Sequence, residues 1–349
     1  MPPASNTTAS ARWRPPGGRR RFSPVGDSKY PKLLKLVFGI KVASVRHMSQ
    51  PRQIVPGRTY LVTRRVLRRH YILTPDLFIN NLFVFFLAIL GAKYGIIFHA
   101  FCLMSTHEHL VLTDTEGRLP KFLCEYHRLT ALVMKVYRKW EGPLWEPDKP
   151  SVVHLQTPEA IAQTIAYVMA NPTECWATKN AADWPGLISN PQDLWKGTWT
   201  ATKPTQYLDQ KSEQWPARVT LRLQVPAMLE HGFDDPLSVI KAEYQERLKS
   251  AHQKAQKEDK HFMGLERIKK TSPYQRATSW EDLRELNPTF AVGRGQHKAR
   301  ELAIQAVKAF RRAYRAALDL WRGDDRLVQF PAGTWWMKVF HGASVADTG

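Results

Sequence analysis

The chain has 349 residues, with 51 Lys and Arg against 31 Asp and Glu, which gives a formal net charge of +20. So large a cationic excess implies electrostatic affinity for polyanions such as nucleic acid, with strong salt dependence. The three cysteines, Cys102, Cys124 and Cys175, have no spacing typical of a disulfide framework, so we expect a protein of the reducing cytoplasm. The length predicts two domains, or one domain with a substantial extension.

Residues 1–50 are rich in Pro, Gly and Arg and contain almost no acidic side chains. This composition predicts a disordered basic arm that touches a nucleic-acid backbone. The alternative is that translation begins at Met48, directly before the first regular elements. The segment lacks an apolar core followed by a cleavage site, so we do not expect a secretory signal.

From residue 57 onward the sequence predicts regular structure. We predict strands at 58–66, 94–104, 108–113 and 151–155, and helices at 77–90, from 120 and from 158. The order β-α-β-β-α-β followed by a helix is typical of an α+β, ferredoxin-like fold, in which helices pack on an antiparallel sheet. We expect the first of these helices to end at Gly91.

The most apolar stretch, residues 77–92, could be taken for a membrane span. It is shorter than the roughly 18 residues that a span needs, and it contains Asn80 and Asn81. We therefore predict a buried core helix and no membrane partner.

His107 and His109 stand one residue apart at the start of the apolar run Leu110-Val111-Leu112. On a strand, alternate side chains share a face, so both imidazoles would point the same way, roughly 6.5–7 Å apart along the backbone. Two imidazoles at this distance can turn onto one cation. The alternative is a pair of solvated or internally satisfied histidines, and Glu108 would point to the opposite face.

Residues 157–171 predict a helix with clear end signals. Thr157 is a good N-cap, Pro158 suits the first position, and Pro172 should stop the helix at Asn171. A buried stripe of apolar residues recurs at helical spacing, formed by Ile161, Ile165 and Val168.

On another face of this helix, Gln163, Tyr167 and Asn171 follow one another at four-residue steps, so their side chains stack. The helix would thus present a phenol and an amide from the same face. A partly buried tyrosine followed by an asparagine C-cap is the alternative interpretation.

Three segments occur in the order and at about the spacing of one known family. They are Pro56-Gly57-Arg58-Thr59-Tyr60-Leu61-Val62-Thr63-Arg64-Arg65, then Met104-Ser105-Thr106-His107-Glu108-His109-Leu110-Val111-Leu112, then Tyr167-Val168-Met169-Ala170-Asn171-Pro172. Together they resemble the REP-associated tyrosine transposases, within the single-tyrosine HUH transposases of insertion sequences. The resemblance covers residues 51–197. The family usually has a hydrophobic residue where this chain has Glu108.

The resemblance implies an HUH fold and a DNA transposition enzyme of the bacterial cytoplasm. It implies that Tyr167 attacks a phosphodiester in single-stranded DNA at hairpin-bearing repeat ends and forms a 5′-phosphotyrosine. It also implies that His107, His109 and Asn171 hold a divalent metal ion, Mg²⁺ or Mn²⁺. A homodimer is a candidate assembly. A replication or relaxase-type HUH nickase and a nucleic-acid-binding protein without catalysis are the alternative functions.

Basic residues cluster near the predicted site. Arg64, Arg65, Arg68 and Arg69 follow the first strand, and Arg128 lies on the second long helix. As a group they could bind DNA phosphates. Such contacts require positive charge but do not recognise the base sequence. For any one of them, a solvated surface charge is the simpler interpretation.

A structural zinc site is a further alternative, because His99 and Cys102 precede the two histidines closely. The spacing matches none of the usual zinc patterns, and a continuous strand over 96–104 would prevent the ligands from converging.

Residues 198–349 are predicted to be an accessory region, mainly helical. We predict a strand at 217–225, helices at 236–256 and 299–322, and an apolar turn and strand at 330–336. The helix at 299–322 combines one apolar face with flanking arginines. We expect a packed helix there, with contact to a DNA backbone as the alternative.

Overall fold

The computed structural model describes residues 51–192, 194–278 and 288–347. The predicted basic arm at 1–50 and the candidate start Met48 lie outside the described residues. The architecture that follows is that of the unit comprising Gln50–Gly349.

Strands and helices alternate through the first part of the chain, and the fold class is α+β as predicted. The elements are β1 (Arg58–Arg65), α1 (Leu77–Tyr94), β2 (Ile96–Leu103), β3 (His107–Asp114), α2 (Leu119–Tyr137), β4 (Ser151–Leu155) and α3 (Pro158–Glu174). This order is the β-α-β-β-α-β arrangement followed by a helix that the sequence predicts.

The second part of the chain is mainly helical. It contains β5 (Thr198–Thr202), β6 (Arg218–Arg222), α4 (Ala227–Gly232), α5 (Pro236–Lys257), α6 (Leu265–Lys270), β7 (Phe290–Ala291), α7 (His297–Arg322) and α8 (Trp335–His341). The predicted strand and two predicted long helices are present as β6, α5 and α7. Trp335 and Trp336 begin α8, so the strand predicted at 330–336 is wrong at its end.

The main sheet has the strand order β2-β3-β1-β4-β7. β3 lies between β2 and β1 and is antiparallel to both, and β1 is antiparallel to β4. β7 adds to the edge of β4 in parallel. The histidine strand is therefore an interior strand, and its backbone is held from both sides.

The two faces of the sheet carry different helices. The side chain of Glu108 contacts α2 through Tyr126 and His127, whereas His109 contacts α3 through Tyr167. Because adjacent residues of a strand point to opposite faces, α2 and α3 lie on opposite faces of the sheet.

α1 is the one described helix that is long and apolar enough to cross a membrane by length and composition. Its apolar side chains are largely buried against other parts of the protein. α1 packs on α2 and β2 on one side and on the β5–β6 hairpin on another, and Trp215 lies against Phe85 and Phe86. A helix covered on two sides needs apolar residues around most of its circumference, which explains its composition.

The predicted end of α1 at Gly91 is wrong. The helix continues to Tyr94 and is capped by Gly95 in the left-handed conformation, whose N–H donates to the carbonyl of Gly91. Gly91 serves packing instead, because a Cβ at this position would lie 2.6 Å from the ring of Phe98.

The predicted end of α3 at Asn171 is also wrong. The helix runs to Glu174 with Pro172 inside it, and Cys175 is the C-cap. Pro172 lacks an N–H and so removes one helical hydrogen bond, but the N–H of Cys175 still donates to the carbonyl of Asn171 at 2.9 Å. Burial of Ala170, Asn171 and Thr173 holds this last turn in place.

Residues beyond 197 pack directly on the first part of the chain. α5 lies along α3, and the β5–β6 hairpin lies on α1. Near the C-terminus, Phe330, Met337, Ala343 and Ala317 of α7 form a small second core. The domain boundary placed at residue 197 stays a prediction.

Candidate active site

His107 and His109 share one face of β3, as their alternation predicts. Their ring centroids are 4.8 Å apart and their planes are nearly perpendicular, at 83°. His109 is 4% exposed, and His107 is partly exposed. The ring of His109 is therefore buried, whereas the ring of His107 reaches solvent.

A threonine hydroxyl contacts the Nδ1 atom of each imidazole. Thr63 Oγ1 of the neighbouring β1 lies 2.9 Å from Nδ1 of His109, and Thr106 Oγ1 lies 3.0 Å from Nδ1 of His107. With Nδ1 held in this way, Nε2 is the nitrogen that each ring can present to a ligand. Such partners fix the orientation of metal-binding histidines.

Tyr167 of α3 contacts His109 across the face of the sheet. Its hydroxyl oxygen lies 3.4 Å from Nε2 of His109, and the two ring centroids are 5.2 Å apart at an angle of 75°. Because Thr157 caps α3, with its Oγ1 accepting from the N–H of Ala160, the start of the helix is fixed. The apolar stripe of the helix is buried against the sheet, which directs Tyr167 toward the histidines.

Asn171 lies one helical turn beyond Tyr167 and is 1% exposed. Its Oδ1 atom lies 3.7 Å from the thiol of Cys175. Since α3 continues past it, Asn171 is an interior helical residue and not the C-cap of the alternative interpretation. Tyr167 and Asn171 therefore lie one helical turn apart in the same continuous helix, as predicted.

His109 lies in an environment that disfavours a charged imidazole. Burial lowers its pKa well below the ordinary value, and His107 and Arg65 lower it further by charge repulsion. The neutral ring that results at neutral pH is the form that binds metal ions.

Glu108 is buried on the opposite face of β3, at 1% exposure. Its two carboxylate oxygens accept hydrogen bonds from the hydroxyl of Tyr126 at 2.8 Å and from Nε2 of His127 at 2.9 Å. The indole N–H of Trp145 donates to the carbonyl of His127 at 2.9 Å. This network gives a polar residue between the histidines a satisfied position in the core.

The five arginines proposed to contact DNA lie in different places. Arg65 is exposed and pairs in register with His107, so it lies on the face of the candidate site. Arg64 pairs with Glu108 on the opposite face, and its guanidinium donates to the carbonyls of Asp148 and of Glu146, the latter at 2.9 Å.

Arg68 and Arg69 follow in the short turn after β1. The backbone N–H of Arg68 donates to the carboxylate of Glu146 at 2.6 Å, and the carbonyl of Arg69 accepts from the N–H of Ala277. Arg128 is exposed on α2, on the other side of the sheet from Tyr167. A DNA-binding role for these residues stays a prediction.

The described residues offer no convergence of three His, Cys, Asp or Glu side chains as metal ligands. His99 is instead hydrogen bonded to the carbonyl of Gln224 at 2.6 Å and to the hydroxyl of Thr113 at 2.7 Å. The structure therefore gives no support to a zinc site built on His99 and Cys102. The set His107, His109 and Asn171 supplies two nitrogen donors and one neutral oxygen donor, which suits a divalent cation with open coordination positions.

α5 contributes a residue to the site that the sequence did not predict. The guanidinium of Arg247 lies 5.3 Å from the ring centroid of Tyr167 and donates to the carboxylate of Glu174 at 2.9 Å. No local pattern marks Arg247, because it belongs to a helix that begins some seventy residues after Tyr167. Thr63 lies in the strand predicted at 58–66, but only the register of the sheet places it opposite His109.

The comparisons with known proteins match only parts of this chain. No family model and no curated protein matches it. Five chains of solved structures match. One is a REP-associated tyrosine transposase bound to a REP hairpin, with 16% identity and a TM-score of 0.34 over 40% of this chain and 81% of that chain. Another is a candidate transposase from Deinococcus radiodurans R1, with 24% identity and a TM-score of 0.24 over 27% of this chain and 76% of that one. At these TM-scores neither similarity assigns a family or an activity to this chain.

Proposed function

We propose that this protein is a metal-dependent tyrosine transposase with a ferredoxin-like HUH fold, which cuts and rejoins single-stranded DNA at hairpin-bearing repeat ends. The observation that carries the proposal is the distance of 3.4 Å between the hydroxyl of Tyr167 and Nε2 of His109. Two separate motifs of the sequence meet through this contact, and Thr63 of the first motif lies 2.9 Å from the other ring nitrogen of His109. A nucleic-acid-binding protein without catalysis would have no need of this proximity.

The proposed reaction is a transesterification. The hydroxyl oxygen of Tyr167 attacks the phosphorus of a phosphodiester, a new tyrosine O–P bond forms, and the bond to the 3′-oxygen breaks. The phenol loses its proton and the released 3′-oxygen gains one, which gives a 5′-phosphotyrosine and a free 3′-hydroxyl. In the reverse step a 3′-hydroxyl attacks the phosphotyrosine and the phenol is released.

We further propose that His107, His109 and Asn171 hold Mg²⁺ or Mn²⁺. A divalent cation supplies positive charge that polarises the scissile phosphate. Support comes from the donor set, from the threonines that fix both imidazoles, and from the lowered pKa of His109. Because Mg²⁺ prefers oxygen ligands, a site with two nitrogen donors favours Mn²⁺.

The proposed partner is DNA in the bacterial cytoplasm, either single-stranded or folded into a hairpin. The net charge of +20 and the exposed Arg65 beside the histidines support a phosphate-rich ligand. A homodimer remains part of the proposal.

The central test replaces Tyr167 by Phe. The change removes only the attacking oxygen, so we expect complete loss of SDS-resistant protein–DNA adducts on a labelled single-stranded repeat oligonucleotide with Mn²⁺. DNA binding by gel shift should be retained, because the ring stays in place. Strand-transfer products from the wild type would distinguish a transposase from a nickase.

Tyr207→Phe is the matched control, because Tyr207 is a partly buried tyrosine that packs on Phe78 away from the histidines. It should form adducts at the wild-type rate. Adducts formed by Tyr167→Phe would show that the nucleophile is assigned wrongly.

A further inference from the structure

Three residues of α3 lie on one face of the helix at steps of four and three: Tyr167, Asn171 and Glu174. Arg247 of α5 contacts this face at both ends. Its guanidinium carbon is 5.3 Å from the ring centroid of Tyr167, and its Nη1 atom is 2.9 Å from Oε1 of Glu174. α5 therefore covers the face of α3 that carries the proposed nucleophile.

The ring of Tyr167 contacts one residue of the sheet and one residue of α5. His109 meets it nearly edge-on, and Arg247 lies against it as a cation. A tyrosine side chain has several rotamers open to it, and each contact of its ring reduces the number that are populated. Both contacts favour the orientation in which the hydroxyl faces Nε2 of His109.

Arg247 does not take the position that best satisfies its own hydrogen-bonding groups. Its Nε atom is buried and has no hydrogen-bond partner among the described residues. Its side chain and that of Glu174 are 28% and 25% exposed, so the ion pair is only partly screened by water. Leaving a buried donor unsatisfied costs stability, which indicates a placement fixed by more than the Glu174 contact.

We infer that Arg247 is a positioning residue for the reaction at Tyr167, and this inference rests on the proposed function. Anchored by Glu174, its guanidinium holds the phenol ring against His109, so that the hydroxyl stays aimed at the place of the scissile phosphate. The accessory region then completes the site, because a residue beyond 197 sets the geometry of the nucleophile. Small errors in the position of a nucleophile reduce rates strongly.

The test measures the single-turnover rate of adduct formation at saturating single-stranded repeat DNA with Mn²⁺. Arg247→Met keeps much of the aliphatic stem and removes the cation. We expect its rate to fall by about 2- to 30-fold, the range that a cation–π contact supplies, with an unchanged Kd for DNA. Arg247→Lys should restore part of the rate. Glu174→Gln should also lower the rate, and adding it to Arg247→Met should cause no further loss.

Arg294→Met is the matched control. Arg294 pairs with Glu243 of the same helix α5, and its backbone N–H donates to Gln163 of α3, so it joins the same two helices without contact to Tyr167. We expect wild-type rates from this variant. An equal loss in Arg294→Met and Arg247→Met would overturn the inference, because both would then act through helix packing.

Two further outcomes separate the inference from the proposed function. Wild-type adducts with an unaffected Arg247→Met rate would refute only the role of Arg247. A wild-type protein that forms no adduct would refute the proposed function and the positioning role with it.

Discussion

Thr63 lies on β1 directly opposite His109 in the register of the sheet. Its hydroxyl is the partner of Nδ1, which leaves Nε2 directed toward Tyr167. A single hydroxyl on a neighbouring strand thus decides which nitrogen of a histidine faces the site. Partners of this kind are worth about 10- to 100-fold in metal affinity in known metal sites.

Thr63→Val should therefore weaken Mn²⁺ binding by about 10- to 100-fold, because the imidazole of His109 loses the group that orients it. Isothermal titration calorimetry with Mn²⁺ would measure the change. Thr59→Val is the matched control, since Thr59 lies on the same strand and pairs with Thr113 instead. Equal affinities of Thr63→Val and the wild type would contradict the expectation.

At the level of single elements, β3 is fixed from both faces. His109 contacts Tyr167 of α3, while the neighbouring Glu108 is hydrogen bonded to Tyr126 and His127 of α2. A strand held by a polar network on its back face keeps the two imidazoles at a constant height relative to α3. The network also explains how the chain accommodates Glu108 where the family that it resembles usually has a hydrophobic residue.

Tyr126→Phe should lower the free energy of unfolding by about 1–3 kcal/mol, because it leaves a carboxylate oxygen of Glu108 buried without its partner. Urea denaturation would measure the loss. Tyr137→Phe serves as the comparison, because the hydroxyl of Tyr137 also donates to a carboxylate, that of Asp76, but in a partly exposed position. A loss in Tyr126→Phe no larger than that in Tyr137→Phe would contradict the importance of burial.

Residue types that predict helix ends are right for some helices of this protein and wrong for others. Thr157 caps α3 as its residue type predicts, and Asp76 caps α1. Gly91 and Pro172, however, both lie inside their helices. Their residue types favour a helix end, but the contact of Gly91 with Phe98 and the burial around Pro172 keep the helices intact.

At the scale of the whole molecule, two histidines away from the candidate site, His99 and His154, lie where burial disfavours a charged imidazole. Burial lowers the pKa of His99 to about 4 and that of His154 to about 4. In the unfolded chain these rings bind protons near pH 6.5. Between pH 6.5 and 4 the unfolded state therefore binds more protons than the folded state, and stability falls as the pH falls.

We expect the free energy of unfolding to be largest above about pH 6.5 and to fall toward pH 4, by up to about 3 kcal/mol for His99. His99→Gln should flatten this fall, since Gln does not titrate. Urea denaturation at several pH values would measure both curves. Parallel curves for His99→Gln and the wild type would contradict the assignment.

The sequence alone determined the features that depend on local periodicity. Alternation along a strand put His107 and His109 on one face, and helical spacing stacked Tyr167 with Asn171. The order of strands and helices from β1 to α3 also followed from hydrophobic patterns, because each pattern involves residues close together in the chain.

Only the tertiary structure decided which residues meet across long separations. Arg247 lies beside Tyr167, and Thr63 lies opposite His109, because helix packing and strand register bring them together. These contacts depend on the sum of many side chains in the core, and no short segment of sequence encodes them. The roles of His107, His109, Asn171 and Tyr167 in catalysis stay predictions, and the contact between Tyr167 and His109 is the physical basis for testing them.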